Sequence, residues 1–328
     1  MKFLIAGFGS IGRRHFRNLV SLGEEDILFL RSHRGNLPDE EIGDFPIYTD
    51  LKSALAQYPD AVIISNPSSL HLEVAIPSAE SCCDILVEKP LANSMDKVPQ
   101  FVEAVRENDS KVLVGFQFRY HPGLIRIQNL LAEGAIGRIL SVRAHWGEYL
   151  PDWHPWEDYR SSYSAKEDLG GGVTLTLCHP LDYLRWLIGE VEALWAFTGR
   201  LGDLDLEVED TAEIGLRFSN GAYGSLHLSY NQKPTSHHLE MVGTAGTIRW
   251  DNHSGITRLY QSKVGDWLEM RPPDRFERND LFLAQMRHFL AVVRGEVEPA
   301  CSLEDGIKAL ELALAAKISS ASGQMVEL

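Results

Sequence analysis

Cysteine is scarce in this chain. Four occur in 328 residues, Cys82, Cys83, Cys178 and Cys301, and no two of them stand in the C-x-x-C spacing of a zinc site or redox dithiol. A disulfide scaffold is therefore excluded as the organising principle, and a reducing, cytoplasmic setting is expected. Long apolar runs are missing as well. None reaches the roughly 18 residues that would span a bilayer, and Phe3-Leu4-Ile5-Ala6 is too short for a signal-peptide core. In that setting the sequon Asn252-His253-Ser254 carries no sugar. Positive charge is in deficit: 31 Lys and Arg against 46 Asp and Glu leave a formal net charge of −15. Such a field repels nucleic acid and anionic membrane, so neither is an expected partner. No internal repeat and no low-complexity tract is found.

What is present reads as two domains, the reasonable division of this length. Through the first third, short apolar strands alternate with helical segments. Strands are expected at 2–6, 27–30, 61–65, 85–87 and 112–115, and helices at 11–22, 51–57, 71–81 and 95–107. Strands that are apolar throughout and separated by helices indicate a parallel sheet covered on both faces. Right-handed crossovers make it a doubly wound α/β Rossmann domain, assigned to residues 1–119. From about 138 the pattern changes. Residues 210–218 and 222–230 alternate apolar with polar around Ser219-Asn220-Gly221, and Asn-Gly between two alternating runs signals a hairpin. Further strands are expected at 138–146, 239–242, 247–250 and 257–261, with closing helices at 281–294 and 303–319. Residues 120–328 are thus expected to form an α+β domain, a large and mostly antiparallel open sheet with helices on one face.

The densest chemical signal is Gly7-Phe8-Gly9-Ser10-Ile11-Gly12. A G-x-G-x-x-G string is weak alone, but here it follows an apolar strand directly and opens a helix. Gly7 permits the tight turn, Gly9 lets a pyrophosphate approach the backbone, and Gly12 lets helix pack on strand. The helix N-terminus, with Ser10 and Ile11, then offers N–H groups and a positive dipole end to phosphate. An NAD site usually carries a carboxylate about 20 residues on, at the end of the second strand. Leu30-Arg31-Ser32-His33-Arg34 has none. Arg31, Ser32 and Arg34 suit a 2′-phosphate instead, which favours NADP(H) and leaves NAD(H) as the alternative. No metal is expected: His237 and His238 are adjacent in a strand and point to opposite faces.

Val87-Glu88-Lys89-Pro90 resembles a signature of the Gfo/Idh/MocA oxidoreductases, and the resemblance extends over nearly the whole chain. Ser65-Asn66-Pro67 with His71 is similar to the family's loop after the fourth strand. Residues 115–122, which include Gln117 and Arg119, resemble its domain crossover. Gly170-Gly171-Gly172, His179, Asp182 and Gly189 resemble its glycine-run, H-x-x-D and helix-ending pattern, and Gly243-Thr244-Ala245-Gly246-Thr247 is also similar. The resemblance implies a two-domain NAD(P)-dependent oxidoreductase acting on a sugar, cyclitol or related polyol. Lys89 and His179 are implied as its catalytic pair, and Ser65, Asn66, Pro67, His71, Glu88, Lys89 and Gln117 as contacts to the cofactor.

Such a pair suits the chemistry, because alcohol oxidation needs a base near neutral pKa and a donor for the developing alkoxide. Many members carry an acid one turn before the histidine; here Leu175 and Thr176 stand there, which leaves the substrate and proton relay open. Further candidates for substrate contact are Arg119, Thr176, Asp182 and, in the aromatic-rich segment 149–163, Tyr149, Tyr159 and Arg160. Two other readings stay open, a cofactor-retaining enzyme that uses transient redox (glycoside cleavage, for example) and a non-catalytic dinucleotide-binding sensor. The open sheet face and the resemblance both point to a homodimer or homotetramer.

Overall fold

The computed structural model describes residues 1–32 and 40–328. The chain divides into two compact units, Met1–Gln117 with Glu277–Leu310, and Phe118–Phe276 with Glu311–Leu328.

In the first unit the order is β1 (Lys2–Ala6), α1 (Ser10–Ser21), β2 (Asp26–Leu30), β3 (Ile47–Tyr48), α2 (Leu51–Leu55), β4 (Ala61–Ile64), α3 (His71–Glu80), β5 (Asp84–Glu88), α4 (Val98–Asn108) and β6 (Val112–Gly115). Among the described residues its six strands are parallel, in spatial order β3-β2-β1-β4-β5-β6. The chain winds outward from β1 in both directions, and the strand order reverses between β1 and β4. The central strands expose nothing on either face: Phe3, Leu4, Ile5, Val62, Ile63, Ile64, Ile85 and Leu86 are all fully buried. That is why they read as unbroken apolar runs.

The second unit holds α5 (Pro122–Ala132), β7 (Ile139–Tyr149), α6 (Val173–Thr176), α7 (His179–Ile188), β8 (Val191–Gly199), β9 (Thr211–Phe218), β10 (Tyr223–Ser229), β11 (Asn231–Gly243), β12 (Gly246–Asp251), β13 (Thr257–Gln261) and β14 (Trp267–Met270). Two long helices follow in the chain. The first, α8 (Arg278–Val293), belongs to the first unit, and the second, α9 (Leu303–Ser322), passes from one unit to the other at Leu310. A short β15 (Val326–Glu327) closes the sheet edge at β8.

The nine strands run β14-β13-β12-β11-β7-β10-β9-β8-β15, antiparallel except for β7 beside β10. The Asn220-Gly221 turn joins β9 to β10 as the sequence signals, with Gly221 at φ +83°. Alternation sorts the side chains. Val142, Ala144, Trp146, Leu226, Leu228, Leu239, Met241, Ile248 and Trp250 are buried, while Trp195, Phe197 and Tyr223 are exposed on strands of the same sheet. One register row of the solvent face carries Glu213, His227, His145, His238 and Asp251 side by side. The three imidazoles stack in it, with centroids 4.6 and 4.9 Å apart. No described helix is long and apolar enough to cross a membrane.

Candidate functional site

In the first unit, the glycine loop behaves as its three positions require. Gly7 sits at φ +96°, and a Cβ there would lie 2.7 Å from the Asn66 nitrogen. At Gly12 a Cβ would lie 2.3 Å from the Gly7 oxygen, so helix and strand touch at that point. Gly9 is different: among the described residues, a Cβ there would meet no atom within 4 Å. It is the N-cap of α1 without any side-chain cap, and the first turn carries no acid. An uncapped helix start over open space, with no carboxylate to oppose an anion, fits a pyrophosphate.

The carboxyl ends of the neighbouring strands support the same fit. After β4, the side-chain amide oxygen of Asn66, Oδ1, is buried without a hydrogen-bond donor among the described residues. After β6, Gln117 is 6% exposed and its Oε1 is likewise without a donor. Two unsatisfied acceptors at strand ends, where open α/β sheets bind ligands, suit the hydroxyls and amide of a dinucleotide.

Other residues of this region hold the loops. The Ser65 hydroxyl is within hydrogen-bonding reach of the Ala6 and Gly7 oxygens, at 3.2 and 3.0 Å. The His71 ring lies between the carbonyl oxygens of Pro90 and Asn66, 2.9 Å from each. It thereby ties the loop after β4 to the cis Lys89–Pro90 peptide after β5. Burial pushes the pKa of His71 down, so a neutral ring donates to one of these carbonyls only. Glu88 is buried and contacts His15 Nε2 of α1 at 2.7 Å. Pro67 and Lys89 are half-buried.

At the end of β2, Arg31 is 6% exposed with its guanidinium 5.6 Å from the Phe8 ring centroid, and Ser32 is exposed. Arg34 lies outside the described residues. One residue here escaped the sequence reading. Glu41, on a 3-10 turn beyond the second strand, returns to α1 and pairs with Arg13 at 3.1 Å and Arg17 at 2.8 Å. The Arg17 hydrogen bond holds its carboxyl below the usual range.

In the second unit, α7 starts at His179, with Pro180 in the first turn where its missing N–H costs nothing. The glycine run leads first into the short α6, in which Leu175 and Thr176 are buried. His179 is 2% exposed, its ring 5.0 Å from Phe118 and 5.4 Å from Trp146. Close by, His237 stacks on Trp146 at 4.3 Å and meets the Tyr183 hydroxyl at 3.2 Å. Burial holds the His237 pKa well below the ordinary value.

Asp182 is engaged with Arg119. Arg119 Nη2 donates to Oδ1 at 2.6 Å and Nε to Oδ2 at 3.0 Å, with both side chains at most 5% exposed. Thr176 is 2% exposed. The remaining candidates have partners of their own. Tyr149 lies under Lys233, whose Nζ is 3.3 Å from the ring centroid. The Tyr159 hydroxyl accepts from Asp205 N at 3.1 Å, and Arg160 pairs with Asp158 at 2.6 Å. The structure therefore groups His179, Asp182 and Arg119, and gives Tyr149, Tyr159 and Arg160 separate contacts.

Comparison with known proteins follows the same division of the chain. Residues 1–116 match the model described as an oxidoreductase family with an NAD-binding Rossmann fold, and residues 124–249 match the GFO/IDH/MocA C-terminal domain. Myo-inositol 2-dehydrogenase of Thermotoga maritima is 28% identical over 100% of this chain and 98% of its own length. Levoglucosan dehydrogenase of Pseudarthrobacter phenanthrenivorans is 30% identical over 57% of this chain and 54% of its own. Among solved structures, the WlbA dehydrogenase from Bordetella pertussis, in complex with NADH and UDP-GlcNAcA, superposes with a TM-score of 0.85. At 24% identity over 100% of this chain and 98% of that one, it is a likeness of fold.

Proposed function

Because the chain belongs to the Gfo/Idh/MocA family of NAD-binding oxidoreductases, we propose that it exchanges a hydride with a hydroxyl-bearing or carbonyl carbon of a sugar, cyclitol or related polyol. The observation that carries this reading is the uncapped start of α1 at Gly9, facing open space among the described residues, at the same carboxyl edge of the sheet as the unsatisfied side-chain acceptors of Asn66 and Gln117. The substrate class rests on the names of relatives that act on myo-inositol and levoglucosan. Those names also favour net hydride transfer over the cofactor-retaining and binding-only readings.

A bound nicotinamide dinucleotide supplies or accepts the hydride. Gly7, Gly9, Ser10, Ile11 and Gly12 would hold its phosphates, with Asn66 and Gln117 as acceptors for its hydroxyl and amide donors. The chain's own task is the proton on the substrate oxygen. In the direction of oxidation, His179 takes that proton as general base while the Lys89 ammonium donates a hydrogen bond to the oxygen. In reduction His179 returns the proton as general acid, and the Lys89 ammonium again donates to the oxygen.

At the end of β2, Arg31 and Ser32 support NADP(H), since neither supplies the carboxylate that a free ribose 2′-hydroxyl prefers. Titration of the purified protein with each dinucleotide decides this, and a tighter NAD(H) complex overturns it. The activity is tested by following dinucleotide absorbance against a panel containing myo-inositol and levoglucosan. Turnover with a polyol or sugar is expected; dinucleotide binding with no redox change across such a panel would sink the reading. Exposed Trp195, Phe197 and Tyr223 on the open sheet face support a homodimer or homotetramer, which a monomer by light scattering at micromolar concentration would refute.

A further inference from the structure

The segment that opens the second unit grips α7 along a single stripe. His179, Asp182 and Trp186 stand at i, i+3 and i+7, so they share one face of the helix. Each meets one of two consecutive residues, Phe118 and Arg119, on the 3-10 turn Gln117–Tyr120. Phe118 sets its ring against that of His179 at 5.0 Å, edge to face. Arg119 binds Asp182 through two parallel N–H···O contacts, and its guanidinium lies 5.8 Å from the Trp186 ring centroid.

A planar guanidinium paired this way accepts one orientation of its partner, unlike a lysine, which would act as a point charge. The pair is buried, and buried ion pairs are weak as a source of net stability but specific in geometry. Helix α7 starts at His179 itself, and its N-cap, Cys178, makes no side-chain cap. Three residues further on, Asp182 ties that turn to Arg119.

We propose that Arg119 and Asp182 are positioning residues for His179: the pair sets the direction of the imidazole and does not itself bind substrate. This rests on the reading of His179 as the proton-handling group, and the experiment separates the two. Removing one partner would strand a buried charge and cost folding, so the informative variant is the double change Arg119→Gln with Asp182→Asn, which neutralises both. Imidazole NMR signals of the full chain are assigned to His179 by their loss in His179→Gln. In the double variant these signals are expected to shift and broaden while those of His15, in the other unit, keep their place. With myo-inositol as probe, kcat measured well below Tm is expected to fall by about 10- to 100-fold, with KM within about twofold of wild type and partial recovery in the conservative variant Asp182→Glu.

Unchanged His179 signals overturn the proposal, whether or not myo-inositol is turned over. So does a large rise in KM with kcat retained, which would place the pair on the substrate. A purely structural pair would lower Tm and leave kcat intact. Should His179→Gln keep full kcat, the catalytic reading of His179 fails, while the NMR result still reports on the clamp.

Discussion

At the scale of single residues, Gly9 and Gly12 carry the same letter for opposite reasons. Gly12 is small because the protein is crowded: its missing Cβ would fall 2.3 Å from the Gly7 oxygen. Gly9 is small where the protein leaves space empty. Gly12→Ala is therefore expected to destabilise the fold by about 1–3 kcal/mol, as overpacking does, read as a lower Tm. Gly9→Ala is expected to keep Tm and to weaken dinucleotide binding by about tenfold or more, some 1.4 kcal/mol. Equal affinity in Gly9→Ala and wild type would show that the phosphates do not pass there. Lys89 invites the complementary test. Losing one donor to a developing oxyanion costs about 10²–10³ in rate, so Lys89→Met should lose that much kcat with dinucleotide affinity unchanged; a loss confined to KM would remove it from the chemistry.

At the scale of elements, what the sequence made legible was whatever a local pattern encodes. The parallel strands showed as apolar runs and the hairpin as Asn220-Gly221. Helix α5 lacked the usual signal, because its N-cap is His121, whose Nδ1 accepts from Gly123 N at 3.0 Å, in place of Ser, Thr, Asp or Asn. Strand β8 was hidden by an irregular register between Val191 and Ala193, which leaves Ala193 and Leu194 buried in succession. Pairings over long sequence distance left no local trace: Glu41 on α1, or Arg119 on Asp182, 63 residues away. The end of β2 is where such an element can be re-tuned. Ser32 is exposed, so Ser32→Asp should fold normally, weaken NADP(H) by roughly tenfold and strengthen NAD(H), following the carboxylate preference of ribose. Parallel titrations of both dinucleotides check it, and an unchanged ratio would place the 2′ position elsewhere.

At the scale of the molecule, the buried histidines give stability a definite acid limb. Burial lowers the pKa of His71, His145 and His237 and pushes that of His121 down to about 4. A histidine whose folded pKa is depressed is neutral in the fold and takes up a proton on unfolding. Stability is then full above the unfolded value of about 6.5 and falls as pH drops below it. Between pH 7 and 5 the His121 group, held at about 4, costs about 2 kcal/mol, at 1.36 kcal/mol per unit, and the other three add in the same direction. Urea midpoints at pH 7 and pH 5 measure the effect. A midpoint independent of pH would mean that these rings are solvated or protonated in the native state.

The place of β7 has a consequence for how the molecule comes into being. Ser141 on that strand pairs with Tyr223 on one side and Val242 on the other, both far later in the chain. During synthesis the central strand of the larger sheet must wait for both neighbours, with two unpaired edges and an apolar face on offer in the meantime. Slow, non-local closure of this kind lengthens the time in which intermediates can cross-pair. The yield of refolding should accordingly fall with protein concentration, and recover when a chaperone shields that strand until residues 223–243 arrive.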